Sequence, residues 1–218
     1  MRVGDEARPR HQGHEPGDPG PRRPDGPPRL AAGHDRADLA APALPRLHVR
    51  LHLVRHGRPS VERHRPAHEW VLDPAHYDDV WTLRDRLPRH AAWYCSPEPR
   101  ATETAQLLTD AGVGIVDGLR EHVRDSTEWV EDLEDAVRDA FARPEVSVRA
   151  GWEPLAHCRA RVVAAVEPIL ATHADEDVVL VGHGTAWTAL AAVLGGTEPD
   201  LDRWARLTLP DVLVLDLA

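Results

Sequence analysis

Two histidines in this 218-residue chain follow strongly apolar runs, and each is itself followed by glycine. They are His56, in Arg55-His56-Gly57 after Leu51-His52-Leu53-Val54, and His183, in Gly182-His183-Gly184 after Val178-Val179-Leu180-Val181. An imidazole offers a nucleophilic nitrogen or a proton relay near neutral pH. A neighbouring glycine removes a side-chain obstacle, so a backbone amide can approach an anion closely. Ser96-Pro97 closes a third apolar stretch, and Arg100 follows in the first turns of an expected helix, whose N-terminus itself favours anions. Arginine suits bidentate contact with phosphate. Two arginines, Arg55 and Arg100, and two histidines thus converge on one small, multiply charged oxyanion, and a phosphoryl group is the natural guest. A lone histidine after a strand is usually only a loop residue, and with 14 histidines one such coincidence is expected. Two at apolar strand ends, both followed by glycine, form a stronger pattern.

Strands must place these groups together. Alternation and then an apolar end predict a strand over 47–54, and short apolar runs predict further strands over 91–95, 114–116, 177–181 and 212–215. Helical spacing is read over 75–87, 98–111, 128–142, 154–173 and 185–194. Strands alternating with helices predict an α/β fold, a three-layer arrangement with a mostly parallel central sheet and helices on both faces. In such sheets ligands bind beyond the carboxyl ends of the strands, where both histidines fall.

Residues 1–46 differ from the rest. Runs such as Gly17-Asp18-Pro19-Gly20-Pro21 sustain neither helix nor strand ladder, so a disordered Pro/Gly/Arg-rich extension is expected before a catalytic domain over 47–218. Met1 is the only methionine, and a start site assigned too early would equally account for this stretch.

The formal charge of −10 argues against nucleic acid or an anionic membrane as partner, though not against a small anion met by a local arginine cluster. All 26 basic residues are arginine, so arginine content alone carries no functional meaning. Cys95 and Cys158 make no disulfide framework and no close metal spacing, and no apolar run approaches the roughly 20 residues of a membrane span. The expectation is a reduced, cytoplasmic protein, monomeric or a homodimer through a sheet edge near 212–217. Gly-x-Ser-x-Gly is absent, so an esterase triad has no support.

Four segments in order resemble the histidine phosphatase superfamily, the phosphoglycerate mutase-like family. They are Leu53-Val54-Arg55-His56-Gly57, Ser96-Pro97-Glu98-Pro99-Arg100-Ala101-Thr102-Glu103-Thr104-Ala105, Leu119-Arg120-Glu121 and Val181-Gly182-His183-Gly184. Trp152-Glu153, with Arg161 further on, is similar to the family's segment before its long helix. The resemblance covers about residues 47–218. It implies a metal-independent phosphomonoester hydrolase, without cofactor, acting on a small phosphorylated substrate or a phosphoprotein through a phosphohistidine on His56. Arg55, Arg100 and His183 would bind the phosphoryl oxygens, with Gly57 and Gly184 beside them, and Glu121 would serve the leaving group and then water. Glu98, Asp125 and Glu128 are the carboxylates that compete with Glu121 for that role.

One departure stands out. Five residues after Gly57, where the family usually carries a polar phosphate ligand, this chain has Glu62. Either Glu62 turns outward, or Arg58, Arg63 or Arg65 replaces it, and mutase activity is placed in doubt. A phosphoglycerate mutase-type phosphotransferase is the alternative function, and a non-catalytic binding module a further one. The segment 58–74 is expected to shape the substrate mouth with 122–130, including His122 and Trp129.

Overall fold

The structure, a computed structural model, describes residues 49–217. The extension expected over 1–46 and the first two residues of the first strand, Leu47 and His48, lie outside that range. Five strands form one sheet in the order β3-β2-β4-β1-β5: β1 Val49–Arg55, β2 Ala92–Cys95, β3 Val113–Ile115, β4 Val178–Gly182 and β5 Asp211–Leu217. The first four are mutually parallel where they pair, and β5 runs antiparallel along β1. The expected α/β architecture with a mostly parallel sheet is the one observed.

Side chains alternate across the sheet, so one strand feeds two cores. Leu51, Leu53, Val178 and Leu180 pack with residues of α4 (Leu155–Thr172) and α5 (Gly184–Gly195). Val54, Val179 and Val181 face the other way, against α1 (Tyr77–Trp81), the Leu83–Leu87 turns and α2 (Pro99–Leu108). Helices therefore cover both faces. A satellite cluster of Ala136, Val137 and Trp152 seats α3 (Leu133–Ala142).

Two helical expectations change, and one helix was not foreseen. The stretch 75–87 is one short helix between 3-10 turns: the Thr82 hydroxyl bonds the Asp79 carbonyl at 2.7 Å, and Leu87, preceding Pro88, is extended. Residues 128–132 stay outside α3, tied down by Ser126 Oγ on the Glu128 amide and by the Arg149–Asp132 ion pair. The six-residue α6 (Leu201–Arg206) was too short to show periodicity; Asp200 caps it, accepting from the Arg203 amide.

Register makes the site. Arg55 lies opposite Gly182 and Cys95 opposite Val181, so β1 and β4 end level and β2 ends one residue before them. The next residues, His56, Ser96 and His183, therefore meet at one rim.

Candidate active site

His56 is buried, and its Nδ1 donates to the carbonyl of Gly57 at 2.7 Å. That bond assigns the remaining proton, leaving the lone pair on Nε2. Nε2 accepts from Arg100 Nε at 3.0 Å. Burial first, then the Arg100 cation, holds the His56 imidazole well below its ordinary pKa, so it is neutral at pH 7. Neutrality is what a nitrogen nucleophile requires.

Arg100 enters from the first turn of α2 and is fully engaged. Besides His56 it reaches the Ala67 carbonyl, Glu98 Oε2 at 2.5 Å and His183 Nδ1 at 3.4 Å. His183 caps α5 with its ring wholly buried, edge-on to His56 at 5.3 Å between centroids, and its Nε2 donates to Ser96 Oγ at 2.8 Å. Burial and Arg100 keep this ring neutral as well. In this arrangement His183 stands behind Arg100 rather than lining the open cavity. Arg55 is anchored at Nη1 by the carbonyls of Leu207, at 2.7 Å, and Thr208, while its Nε is buried without a partner.

Both expected glycines work differently from the sequence reading. The Gly57 amide is taken by Thr104 Oγ1 at 2.9 Å, and a Cβ there would stand 2.5 Å from Val80 and 2.8 Å from Leu72. Gly57 thus lets the loop lie flat on its core instead of offering an amide to an anion. Gly184 borders a separate cavity of about 260 Å³ under α5, where a Cβ would lie 3.3 Å from Arg55 Nε.

Glu121 projects onto the start of α5, where its carboxylate accepts from the amides of Ala186 at 2.9 Å and Thr185 at 3.3 Å. Its loop is bolted from below by Arg161, which donates to the carbonyls of Gly118, Arg120 and Glu121 and pairs with Glu153 at 2.6 Å. That explains the value of Trp152-Glu153 and Arg161 in the sequence. His122 is buried edge-on to Trp152 and donates from Nε2 to the Glu153 carbonyl at 2.7 Å.

These groups surround a cavity of about 680 Å³, with His56, Arg55 and Arg100 at its floor, Glu98 and Glu121 beside them, and Arg58, Trp70 and Arg124 on its walls. Both segments expected at the mouth contribute to the lining. Trp129 does not, since it lies outside under the Arg63 guanidinium, 4.1 Å from the ring centroid. Glu62 also points away and pairs with His64 and Arg65 at 3.5 Å each. Glu62 has thus turned outward, the first of the two expected outcomes, and the position supplies no ligand to the cavity. Among the described residues no group of three or more His, Cys, Asp or Glu is arranged to hold a metal ion.

The family model of the histidine phosphatase superfamily (branch 1) matches residues 51–217. The chain belongs to that superfamily. Its fold is shared with solved structures: a mycobacterial glucosyl-3-phosphoglycerate phosphatase aligns at TM-score 0.62 and 21% identity over 77% of this chain and 90% of that one. The Bacillus stearothermophilus protein YhfR aligns at 0.56 and 26% identity over 70% and 83%. A phosphoglycerate mutase from Bacillus anthracis aligns at 0.58 and 22% identity over 76% and 86%. No curated protein matches the chain significantly.

Within this histidine phosphatase, one pocket residue was read from sequence only as a rival to Glu121. Glu98 is buried at 3% exposure, salt-bridged to Arg100, and its Oε1 accepts from the Glu121 amide at 2.9 Å. Burial pushes its carboxyl up more than Arg100 pulls it down. Only its place two residues before Arg100 hinted at this role.

Proposed function

We propose that the protein is a metal-independent phosphomonoester hydrolase that passes the phosphoryl group through His56 Nε2. The observation that carries this reading is the Gly57 carbonyl on His56 Nδ1, which leaves Nε2 as a neutral nucleophile beside Arg100 in the cavity. A phosphate ester enters with its non-bridging oxygens on Arg55 and Arg100, so the Arg100 Nε–H transfers from Nε2 to an oxygen. Nε2 attacks phosphorus, the bond to the ester oxygen breaks, and Glu121 gives that oxygen its proton. Water then attacks the phosphohistidine, Glu121 takes the water's proton, the N–P bond breaks and phosphate leaves. Fixed guanidinium groups stabilise the charge that develops on the equatorial oxygens.

One structure named above is a glucosyl-3-phosphoglycerate phosphatase, and that likeness supports a small phosphorylated substrate. Free, buried Cys95 and Cys158 suit a reducing compartment such as the cytoplasm. Among the described residues no helix is long and apolar enough to cross a membrane.

Phosphate release from 4-nitrophenyl phosphate tests the proposal. His56→Ala should lower kcat by at least about a thousandfold, the scale of losing a nucleophile, with chelator leaving the wild type unchanged. Turnover surviving in His56→Ala, or abolished by chelator, overturns it. Incubation with a phosphoglycerate isomer, followed by phosphorus NMR, should yield inorganic phosphate; interconversion of isomers instead would establish the mutase.

A further inference from the structure

A buried carboxylate stands where this cavity gathers anions. Glu98 occupies the N-cap of α2, yet its side chain makes no capping bond and lines the cavity instead, at 3% exposure. Its two oxygens are held differently. Oε1 accepts from the Glu121 amide at 2.9 Å and lies 3.6 Å from His183 Nε2. Oε2 lies 2.5 Å from Arg100 Nη2 but is shut off from solvent, with no donor aimed at it in hydrogen-bond geometry. Burying a carboxylate is costly unless donors complete it, and Oε2 is held by charge alone.

The guanidinium that holds Glu98 is also the one that must hold the phosphoryl group. Arg100 gives Nε to His56 and Nη1 to the Ala67 carbonyl, while Nη2 is shared between Glu98 and His183 Nδ1. A phosphoryl dianion seated on Arg100 therefore meets the Glu98 carboxylate across one guanidinium. Two anions at that range cannot both stay charged without raising the proton affinity of one. Arg100 is also the main influence opposing the upward push of burial on this carboxyl, and a bound oxygen diverts it. His68, on the Ala67–Glu69 turn, pulls the carboxyl down and Glu121 pushes it up. Arg124 adds a cation from the far wall, and the buried rings of His56 and His183 are neutral. A proton at Oε2 displaces no hydrogen bond and leaves Oε1 on the Glu121 amide. It also turns that oxygen from acceptor into donor.

We infer that Glu98 binds the phosphoryl group as a neutral carboxylic acid: a proton moves from solvent to Oε2 as the group settles on Arg100, and the new O–H donates to a non-bridging oxygen. No bond to phosphorus forms or breaks in this step. The inference rests on the hydrolase reading only for the placement of the phosphoryl group on Arg55 and Arg100. Binding of a dianion is thereby coupled to proton uptake. Affinity rises as pH falls, by about tenfold per unit between the carboxyl's ionisation in the free enzyme and in the complex.

Calorimetry with sulfate reads that proton without turnover. Sulfate stays a dianion through the neutral and mildly acid range, so a proton taken up on binding goes to the protein. Titrations at pH 5.5, 6.5 and 7.5, in buffers of different ionisation enthalpy, count the protons for wild type and for Glu98→Gln, whose amide carries a permanent donor. At one or more of these pH values wild type should take up at least about half a proton more per sulfate than the variant. Its sulfate Kd should also depend more steeply on pH. A histidine that charges on binding adds to both counts and cancels, and a merely structural glutamate would shift Kd without changing the difference. Equal counts at all three pH values, or no sulfate binding by wild type, overturn the inference. Should Glu98→Gln not fold, the difference is read against Glu98→Leu in the same way. Failure of the hydrolase reading appears separately, as aryl phosphate turnover in His56→Ala.

Discussion

Two glutamates line the cavity, and they are held in opposite ways. Glu121 is fixed by backbone amides at the start of α5, whereas Glu98 is buried against Arg100 with its proton affinity raised. If Glu121 is the acid, Glu121→Gln should slow hydrolysis of alkyl phosphates by about 10²–10⁴-fold, the usual worth of general acid catalysis, and aryl phosphates with good leaving groups far less. Glu98→Gln removes the anion paired with Arg100, so its expected effect is on KM, with the dependence on leaving group unchanged. A leaving-group effect seen in Glu98→Gln and missing from Glu121→Gln would exchange the two roles. Sequence alone showed His56, His183, Arg55 and Arg100, because histidine and arginine stand out at strand ends. It did not show what Gly57 does, since a Cβ clash with Val80 and Leu72 depends on a packing partner some 20 residues away in the chain. Arg124 likewise reads as one arginine among 26 until Trp152 is placed beneath it.

At the level of elements, positioning is divided between the sheet and a long helix. The strand ends bring His56, Ser96 and His183 to one rim, while α4 sends Arg161 to hold the loop that carries Glu121. Arg161→Gln removes donors to three carbonyls and leaves the Glu153 carboxylate half-buried without its cation. The expected outcome is a loss of about 2–4 kcal/mol in stability, by urea unfolding, together with a fall in kcat exceeding any rise in KM as Glu121 loses its fixed place. A change in stability with kcat intact would show that the loop is set by Glu121's own bonds to α5. Strand β4 was readable from sequence because both faces of a parallel sheet are covered and Val178-Val179-Leu180-Val181 is apolar throughout. The helix at 75–87 was not, because Val80, Leu83 and Leu87 keep helical spacing through turns that are not one helix. The spacing records burial against α2 and the sheet, and burial was satisfied without a continuous hydrogen-bond ladder.

Across the whole molecule, burial of histidine sets the response to acid. His52, His56, His122 and His183 all have their pKa lowered, with desolvation the leading cause in each. The unfolded chain therefore binds protons at a pH where the folded one does not, and stability falls as pH drops below the unfolded histidine value near 6.5. Each such histidine contributes up to about 1.4 kcal/mol per pH unit within its window. Glu98, raised instead of lowered, works the other way and gains stability as pH falls from its raised folded value toward the ordinary carboxylate range. Four groups outweigh one, so the urea midpoint should fall markedly from pH 7.5 to 5.5; a flat midpoint would mean the histidines are protonated in the fold. Fold class was legible at this scale from the alternation of strands and helices alone, but the antiparallel β5 and its link to Arg55 were not, since strand direction leaves no trace in residue pattern. That link bears on synthesis. The carbonyls that hold Arg55 come from Leu207 and Thr208, and β1 is flanked by β4 and β5, so the nucleophile's surroundings emerge from the ribosome more than a hundred residues after His56 itself. At roughly 5–20 residues per second the nascent chain carries His56 for on the order of ten seconds before its binding site exists. Activity is therefore a property of the finished chain, and no nascent fragment ending before Leu207 can hold Arg55 in place.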